Sequence, residues 1–381
     1  MYKKYYQHFL SANPEVQHYA AHSHHYWPDV TREATLQYWQ DSAKYVDDKW
    51  DYIFSNKIPA TQKLIAEVLN LTHPEQIVFA PNTHEFITRL LSCFDATKPL
   101  KVLTTDSEFY SFDRQINRTA EFSNVQVDKV NTQEFESFEN RFIEKIKSNH
   151  YDLIFLSQVF FNSGLVVQNL EAIVKAVTNL ETIIAVDGYH GFMALPTDLK
   201  SIENRIFYIS GSYKYAQGGE GCCFMHVPKG NQLRPANTGW FAGFSQLSTK
   251  GSEVVYSDNG YRFAGSTMDF TALYRLQSVL ELFKSEGVTV SKIHQLVQKM
   301  QNNFRQHLTE VRHAILTEDK ILHLDFNLHG HFFSFELKNA DLVKKLHDEL
   351  YSKKIRTDYR GTRLRFGFAI YQNESINLKN V

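Results

Sequence analysis

Cysteine is scarce in this chain. Of 381 residues, Cys93, Cys222 and Cys223 alone carry a thiol, too few and too badly spaced for a disulfide framework or a cysteine-based zinc site. That scarcity fits a reducing compartment. Long apolar runs are lacking too: nowhere do about 18 hydrophobic residues follow one another, so no transmembrane helix is expected. Met1–Leu10 holds lysines and tyrosines where a secretory leader has an apolar stretch. Nor is there an excess of charge, because 41 Lys+Arg stand against 42 Asp+Glu. Such a balance offers no electrostatic footprint for nucleic acid or an anionic membrane. Glycine and proline are modest, at 17 and 9 residues. There is no internal repeat, Gly/Ser linker or low-complexity tract, which excludes fibrous, solenoid and disordered classes. The expectation is a cytoplasmic globular protein that engages neither nucleic acid nor membrane.

What the chain has is apolar bulk. Hydrophobic residues make up 43% and aromatic residues 14%, with 29 Phe and 20 Tyr, and rings spread along the whole length read as core and interface filling. From Glu75 to Pro228 short β-branched runs alternate with helical patterns, the signal for a largely parallel α/β sheet. The runs are Gln76–Phe79, Lys101–Thr105, Val125–Val130, Asp152–Val159, Thr182–Val186, Arg205–Ile209 and Gly221–Val227. Between them Thr83–Phe94 and Leu170–Leu180 each set their apolar residues on one helical face. An irregular stretch over Pro235–Arg262 leads to a periodic helix over Asp269–Glu286 that stops at Gly287. Beyond it the pattern is α+β, with helices Ser291–Val311 and Ala340–Ser352 and strands Ile321–Phe326, His331–Leu337 and Arg363–Ile370. The expected units are an N-terminal segment over 1–50, a large domain over 51–268, and a connecting helix with a small domain over 269–381.

In an open α/β sheet a ligand binds beyond the carboxyl ends of the strands. After Gln76–Phe79 comes Ala80-Pro81-Asn82-Thr83-His84, opening a helix whose free N–H groups, dipole and threonine hydroxyl suit a phosphate. Asn82 also reads as an ordinary helix cap with Glu85 in the capping-box position, and taken alone that reading is the simpler one. After Thr182–Val186 comes Asp187-Gly188-Tyr189-His190, a carboxylate and an imidazole together at a strand end, where a cap and a structural histidine are the ordinary roles. After Arg205–Ile209 comes Ser210-Gly211-Ser212-Tyr213-Lys214-Tyr215. Lys214 has no salt-bridge rationale there, and burial lowers a lysine pKa toward the neutral amine that Schiff-base chemistry needs. Gly218, Gly219 and Gly221 match neither the P-loop nor the dinucleotide spacing.

Together these segments resemble the class V branch of the fold-type I pyridoxal-phosphate enzymes, with the order of parts agreeing over most of the chain. Asp187-x-x-His190 is similar to that branch's Asp-x-x-His/Gln motif, and Ser212-Tyr213-Lys214-Tyr215 to its Schiff-base lysine segment. Within the branch the resemblance is to the kynureninases, through Ser212 to Tyr215, Gly239-Trp240-Phe241 and Arg262-Phe263-Ala264-Gly265-Ser266. It implies the fold-type I transferase fold, α/β, with a mostly parallel sheet in the large domain and a smaller α+β C-terminal domain. It implies pyridoxal 5'-phosphate as cofactor, an L-amino acid as substrate, and a homodimer with a shared active site. Residue by residue, it implies Lys214 as the Schiff-base lysine and Asp187 as the partner of the pyridinium nitrogen. Thr83, Tyr213, Trp240 and Ser266 would bind phosphate, the last two across the dimer interface. Phe109 would stack on the ring, and His84 and His190 would complete the cofactor site. Asp358-Tyr359-Arg360 and Arg365-Phe366-Gly367 with Tyr371 resemble the family's C-terminal segments. Arg365 would then grip the substrate α-carboxylate, a job that suits a guanidinium fork, with Arg363 as the other position open to it.

The resemblance has departures. His22-Ser23-His24-His25 stands where kynureninases have Asn-Ser-x-Gly, which alters the wall facing the substrate side chain and makes Ser23 and His25 substrate-side candidates. Phe112 stands where an aspartate near the phosphate is expected, with Asp113 one place later. The histidine cluster offers imidazoles to zinc, yet no acidic or cysteine partner lies nearby in sequence, so no metal is expected. Kynureninase-like Cβ–Cγ hydrolysis is the favoured activity, and a class V aminotransferase acting with a 2-oxo acid is the alternative. A non-catalytic binding protein on the same scaffold is a third reading, opposed by the presence of Lys214, Asp187 and the phosphate-site residues. Cysteine desulfurase is disfavoured because no cysteine follows Cys223.

Overall fold

The computed structural model describes residues 2–121, 124–246, 253–374 and 378. The seven apolar runs form β1 (Ile77–Ala80), β2 (Leu100–Thr105), β3 (Val125–Val130), β4 (Leu153–Ser157), β5 (Ile183–Asp187), β6 (Ile206–Gly211) and β7 (Cys223–His226). Hydrogen bonds order them β1-β7-β6-β5-β4-β2-β3. Neighbours run parallel except at β7, which is antiparallel to β1 and β6. β4 and β6 are buried at every position, as strands covered by helices on both faces must be.

Helices α1 (Val30–Tyr45), α2 (Ile58–Leu69), α3 (Thr83–Leu91), α4 (Tyr110–Ala120), α5 (Phe135–Ser148), α6 (Leu170–Ala176) and α7 (Thr271–Ser285) accompany the sheet. The Asn82 side chain caps α3 by accepting the Glu85 N–H at 3.1 Å. Glu85 turns its carboxylate to Arg89 instead of closing the capping box. Phe112, on the buried face of α4, lies flat against Phe155 of β4, with ring centroids 3.7 Å apart and planes 3° apart. The residue standing at the expected aspartate position is thus core, and Phe112→Ala is expected to cost about 3–5 kcal/mol of stability. A lowered urea midpoint with an unchanged slope is the readout.

A second, smaller core lies between α8 (Val290–Val311), α9 (Ala340–Ser352) and the antiparallel strands β8 (Phe332–Glu336), β9 (Asp358–Arg360) and β10 (Arg363–Gly367), ordered β9-β10-β8. Leu364 and Phe366 enter that core, so the two-residue strand period turns Arg363 and Arg365 to the other face. The N-terminal segment runs alongside: Gln17–His18 pairs parallel to Ile355–Arg356, and Ala20 bridges to Gly367. A Cβ at Gly367 would come within 2.3 Å of His22 Nδ1, so glycine is what lets the segment lie this close.

Three expectations differ from the structure, the simplest being the helix expected over Leu170–Leu180, which stops at Ala176 because Val177 turns extended. Ile321–Phe326 is not a strand: Ile321 makes an isolated bridge to Phe335 and a 3-10 turn follows at Phe326–Leu328. His323 Nδ1 accepts the Asp325 N–H and Asp325 accepts the Asn327 N–H, local bonds that take backbone donors from a ladder. The strand expected over Arg363–Ile370 ends at Gly367, after which the Phe368 N–H turns to the His331 carbonyl. Part of the irregular Pro235–Arg262 stretch, residues 247–252, lies outside the described residues. No helix among the described residues is long and apolar enough to cross a membrane.

Candidate active site

The carboxyl ends of the parallel strands open into a cavity of about 250 Å³. Five strand ends contribute to it: Asn82 and Thr83 after β1, Phe109 after β2, Ser157 closing β4, Asp187 closing β5, and Tyr213 and Lys214 after β6. Lys214 is buried, with Nζ 3.0 Å from His190 Nε2. Its ammonium also lies 5.4 Å from the Phe109 ring centroid and 5.0 Å from that of Tyr189. Burial lowers the Lys214 pKa to about 7, with Asp187 opposing the shift and Arg365 adding to it. Burial, reinforced by the nearby Lys214 charge, holds the His190 imidazole well below its ordinary pKa. The Asp187 carboxylate accepts the Tyr189 N–H at 2.9 Å. Burial raises its pKa, against the influence of that hydrogen bond and of Lys214.

Arg365 lies behind the cavity wall, close enough for its charge to act on Lys214. Its Nε donates to Asp358 Oδ1 at 2.7 Å and its Nη2 to Asp358 Oδ2 at 2.5 Å, while Nη1 bonds the carbonyl of Phe161, a cavity-lining residue. A guanidinium has five N–H donors in a fixed fork, so these three bonds leave one donor on each terminal nitrogen. His22 Nε2 meets Asp358 Oδ1 at 2.9 Å, and its ring stacks on Phe332. Burial lowers the His22 pKa to about 4, so a neutral imidazole donates to the carboxylate. Burial alone would raise the Asp358 carboxyl; His22 and Arg365 outweigh it and hold it below the ordinary range. Arg363 instead pairs with Glu336 at 2.7 Å.

The sequence candidates divide into two groups. Lys214, Asp187, His190, Thr83, Phe109 and Tyr213 share the cavity wall. His84 is exposed beside Tyr110 outside it. Trp240 and Ser266 are exposed and lie together elsewhere, where the Phe241 N–H bonds the Gly265 carbonyl at 3.1 Å and a Cβ on Gly239 would strike the same peptide. His25 is buried among rings, edge-on to Tyr371 and Tyr215, and Ser23 meets His24 at 3.3 Å. From the histidine cluster, His24 approaches Tyr213 with ring centroids 6.0 Å apart, and the His22 backbone hydrogen-bonds the His190 imidazole of the cavity wall. Ser157, Phe161, Tyr189 and Cys223 also line the cavity. Ser157 and Tyr189 were open to the strand-end rule; Phe161 lies four residues past β4, and Cys223 opens the antiparallel β7. Among the described residues no group of three or more His, Cys, Asp or Glu is arranged to hold a metal ion.

A buried amine, a buried carboxylate and a helix start with a threonine hydroxyl, gathered in one cavity at parallel strand ends, fit the aldehyde, ring nitrogen and phosphate of pyridoxal phosphate. That donor set on this sheet defines a pyridoxal-phosphate enzyme. The chain belongs to the aminotransferase class-V family, whose model matches residues 27–344. It is a pyridoxal-phosphate-dependent enzyme with the fold-type I transferase fold. Among solved structures, the cystine C–S lyase C-DES in complex with its reaction product cysteine persulfide is similar at a TM-score of 0.80 and 16% identity, over 95% of this chain and 95% of its own. A cysteine desulfurase from Thermococcus onnurineus NA1 is similar at 0.77 and 16% identity, over 96% and 92%. The cysteine desulfurase CsdA from Escherichia coli is similar at 0.73 and 14% identity, over 97% and 94%. At these identities the likeness is one of fold. No curated protein sequence matches the chain. These likenesses do not support the finer resemblance to kynureninases.

Proposed function

We propose that this enzyme cleaves an aryl-bearing γ-keto L-amino acid by kynureninase-like Cβ–Cγ hydrolysis, and that it works as a homodimer. The observation that supports the substrate reading is an aromatic wall next to the arginine: Phe161 meets Phe109 edge to face at 5.4 Å inside the cavity, and its own carbonyl holds Arg365. An aryl side chain suits such a wall, while the two spare donors of Arg365 suit an α-carboxylate. Pyridoxal phosphate, when bound, supplies an aldehyde that captures the amine and a ring that takes up electrons from Cα. Lys214 is the group that holds the cofactor and then takes the Cα proton, and Asp187 keeps the ring nitrogen protonated. Phe109 would pack on the ring and Thr83 and Tyr213 would bind the phosphate, while His190 stands beside the Lys214 amine. Water adds to the γ-carbonyl, the Cβ–Cγ bond breaks, and an aryl acid and alanine leave.

The dimer reading is supported by the exposed set Trp240, Phe244 and Val255, at 37%, 39% and 42% exposure, beside Gly265-Ser266, a surface that a second copy would cover. Persulfide chemistry is not supported, since the last thiol in the chain, Cys223, is buried with its pKa pushed up to about 12. Incubation with L-kynurenine, with and without pyruvate or 2-oxoglutarate, is expected to release an anthranilate and alanine equally in both. Turnover that strictly needs the acceptor and releases no anthranilate would make the enzyme an aminotransferase. A monomer in light scattering that keeps full turnover would sink the dimer.

A further inference from the structure

Glu108 is a buried carboxyl that none of the roles above uses. It sits between β2 and α4 at 5% exposure. One carboxylate oxygen accepts the Thr105 hydroxyl at 2.7 Å and the Ser157 N–H at 3.2 Å, and the other accepts the Ser157 hydroxyl at 2.6 Å. Thr105 closes β2 and Ser157 closes β4, so a single side chain ties the loop leading into α4 to the ends of two strands. Phe109 follows it directly in the chain. Ser157 stands opposite Asp187 in the register between β4 and β5, and both Phe109 and Ser157 line the cavity.

A clamp of this kind does not require a charge, because an amide makes comparable hydrogen bonds at a smaller cost of burial. The charged group that acts on Glu108 from a neighbouring element is Asp187 on β5, while Asp106 in its own loop is turned toward Ser107 and Thr132. Burial pushes the Glu108 carboxyl up to about 7; Ser157 and Thr105 oppose this and Asp187 adds to it. The group therefore changes charge near neutral pH.

We propose that Glu108 is a positioning residue for the cofactor: it sets Phe109 and Ser157 against the cavity and, through its charge beside Asp187, strengthens the negative field that meets the pyridinium nitrogen. This inference rests on reading Asp187 as the partner of that nitrogen. A cationic ring entering the cavity favours ionised Glu108, so binding expels the proton that the free protein carries there below about pH 7. Affinity then rises with pH by an increment that a neutral residue lacks.

The test is binding of 4-deoxypyridoxine 5'-phosphate, which cannot react with Lys214, to the full chain freed of cofactor. Its phosphate and Lys214 titrate alike in wild type and in Glu108→Gln, so the ratio of the two dissociation constants isolates Glu108. The affinity advantage of wild type over Glu108→Gln is expected to grow about fivefold from about pH 6 to pH 8, most of the roughly tenfold limit for one unit of pKa change on binding. A ratio constant within about twofold reduces Glu108 to a clamp and overturns the proposal. Ser157→Ala, which removes one bond to Glu108 but keeps its charge, is expected to retain the pH-dependent increment with its midpoint moved to higher pH. Loss of the increment in that variant also overturns the proposal and covers the case in which Glu108→Gln does not fold. Asp187→Asn binding the probe as tightly as wild type sinks the reading of Asp187 and this inference with it. A weakened Asp187→Asn together with a flat Glu108→Gln ratio sinks the inference alone.

Discussion

Lys214→Ala is expected to abolish the borohydride-reducible adduct between protein and cofactor and to lower turnover by about 10³-fold or more, because nucleophile and base are lost together. The amine is buried after β6, 3.0 Å from His190, and burial brings its pKa down to about 7. Near pH 7 roughly half the molecules then hold a neutral amine, against about one in a few thousand for an ordinary lysine. The sign is testable. Capture of the cofactor aldehyde by the cofactor-free protein should rise with pH and level off above about 7, where an unperturbed lysine would keep gaining toward pH 10. An adduct that survives in Lys214→Ala and maps to another lysine would show the assignment to be wrong.

Asp187→Asn is expected to keep the fold and lose about 10²–10³ in kcat, since a neutral amide does not hold the charge of a pyridinium. The carboxylate closes β5, is anchored by the Tyr189 N–H at 2.9 Å, and lines the cavity with Lys214. An asparagine oxygen can still accept that N–H, so the change removes charge and little else. Thermal midpoint and cofactor absorbance should be measured beside turnover. Unchanged turnover in a folded, cofactor-loaded variant would leave Asp187 with a capping role alone.

The sheet was legible because its strands are short apolar runs set between helical patterns, a local signal at every step. The Ser212–Tyr215 segment, the Asp187-x-x-His190 segment and the Asn82–Thr83 helix start were legible for a related reason: each follows a run directly, and parallel strands bring successive run ends to one edge of the sheet. Ile321–Phe326 was misread because alternation is silent about His323 and Asp325, whose side chains capture the backbone donors.

Other parts of the site depend on what lies across from a residue, not on what lies beside it in the chain. Arg363 and Arg365 share one face of β10, and their sequence context barely separates them. Packing does, because Glu336 occupies Arg363, whereas Arg365 meets Asp358, Phe161 and the charge of Lys214. In the same way the His22–His25 run reads as one wall, but the backbone turns His22 to Asp358, His24 toward Tyr213 and His25 into the rings of Tyr215 and Tyr371. The sequence by itself determined the class of fold, the order of its strands along the chain and the residues at their ends, since periodicity and strand-end position are local properties. Tertiary structure alone decided which arginine lies against Phe161 and Lys214, which histidines are spent on packing, and that Glu108 ties Thr105 to Ser157 opposite Asp187. Those contacts join segments tens to hundreds of residues apart, and the burial that sets their charge exists only once the chain has closed around them.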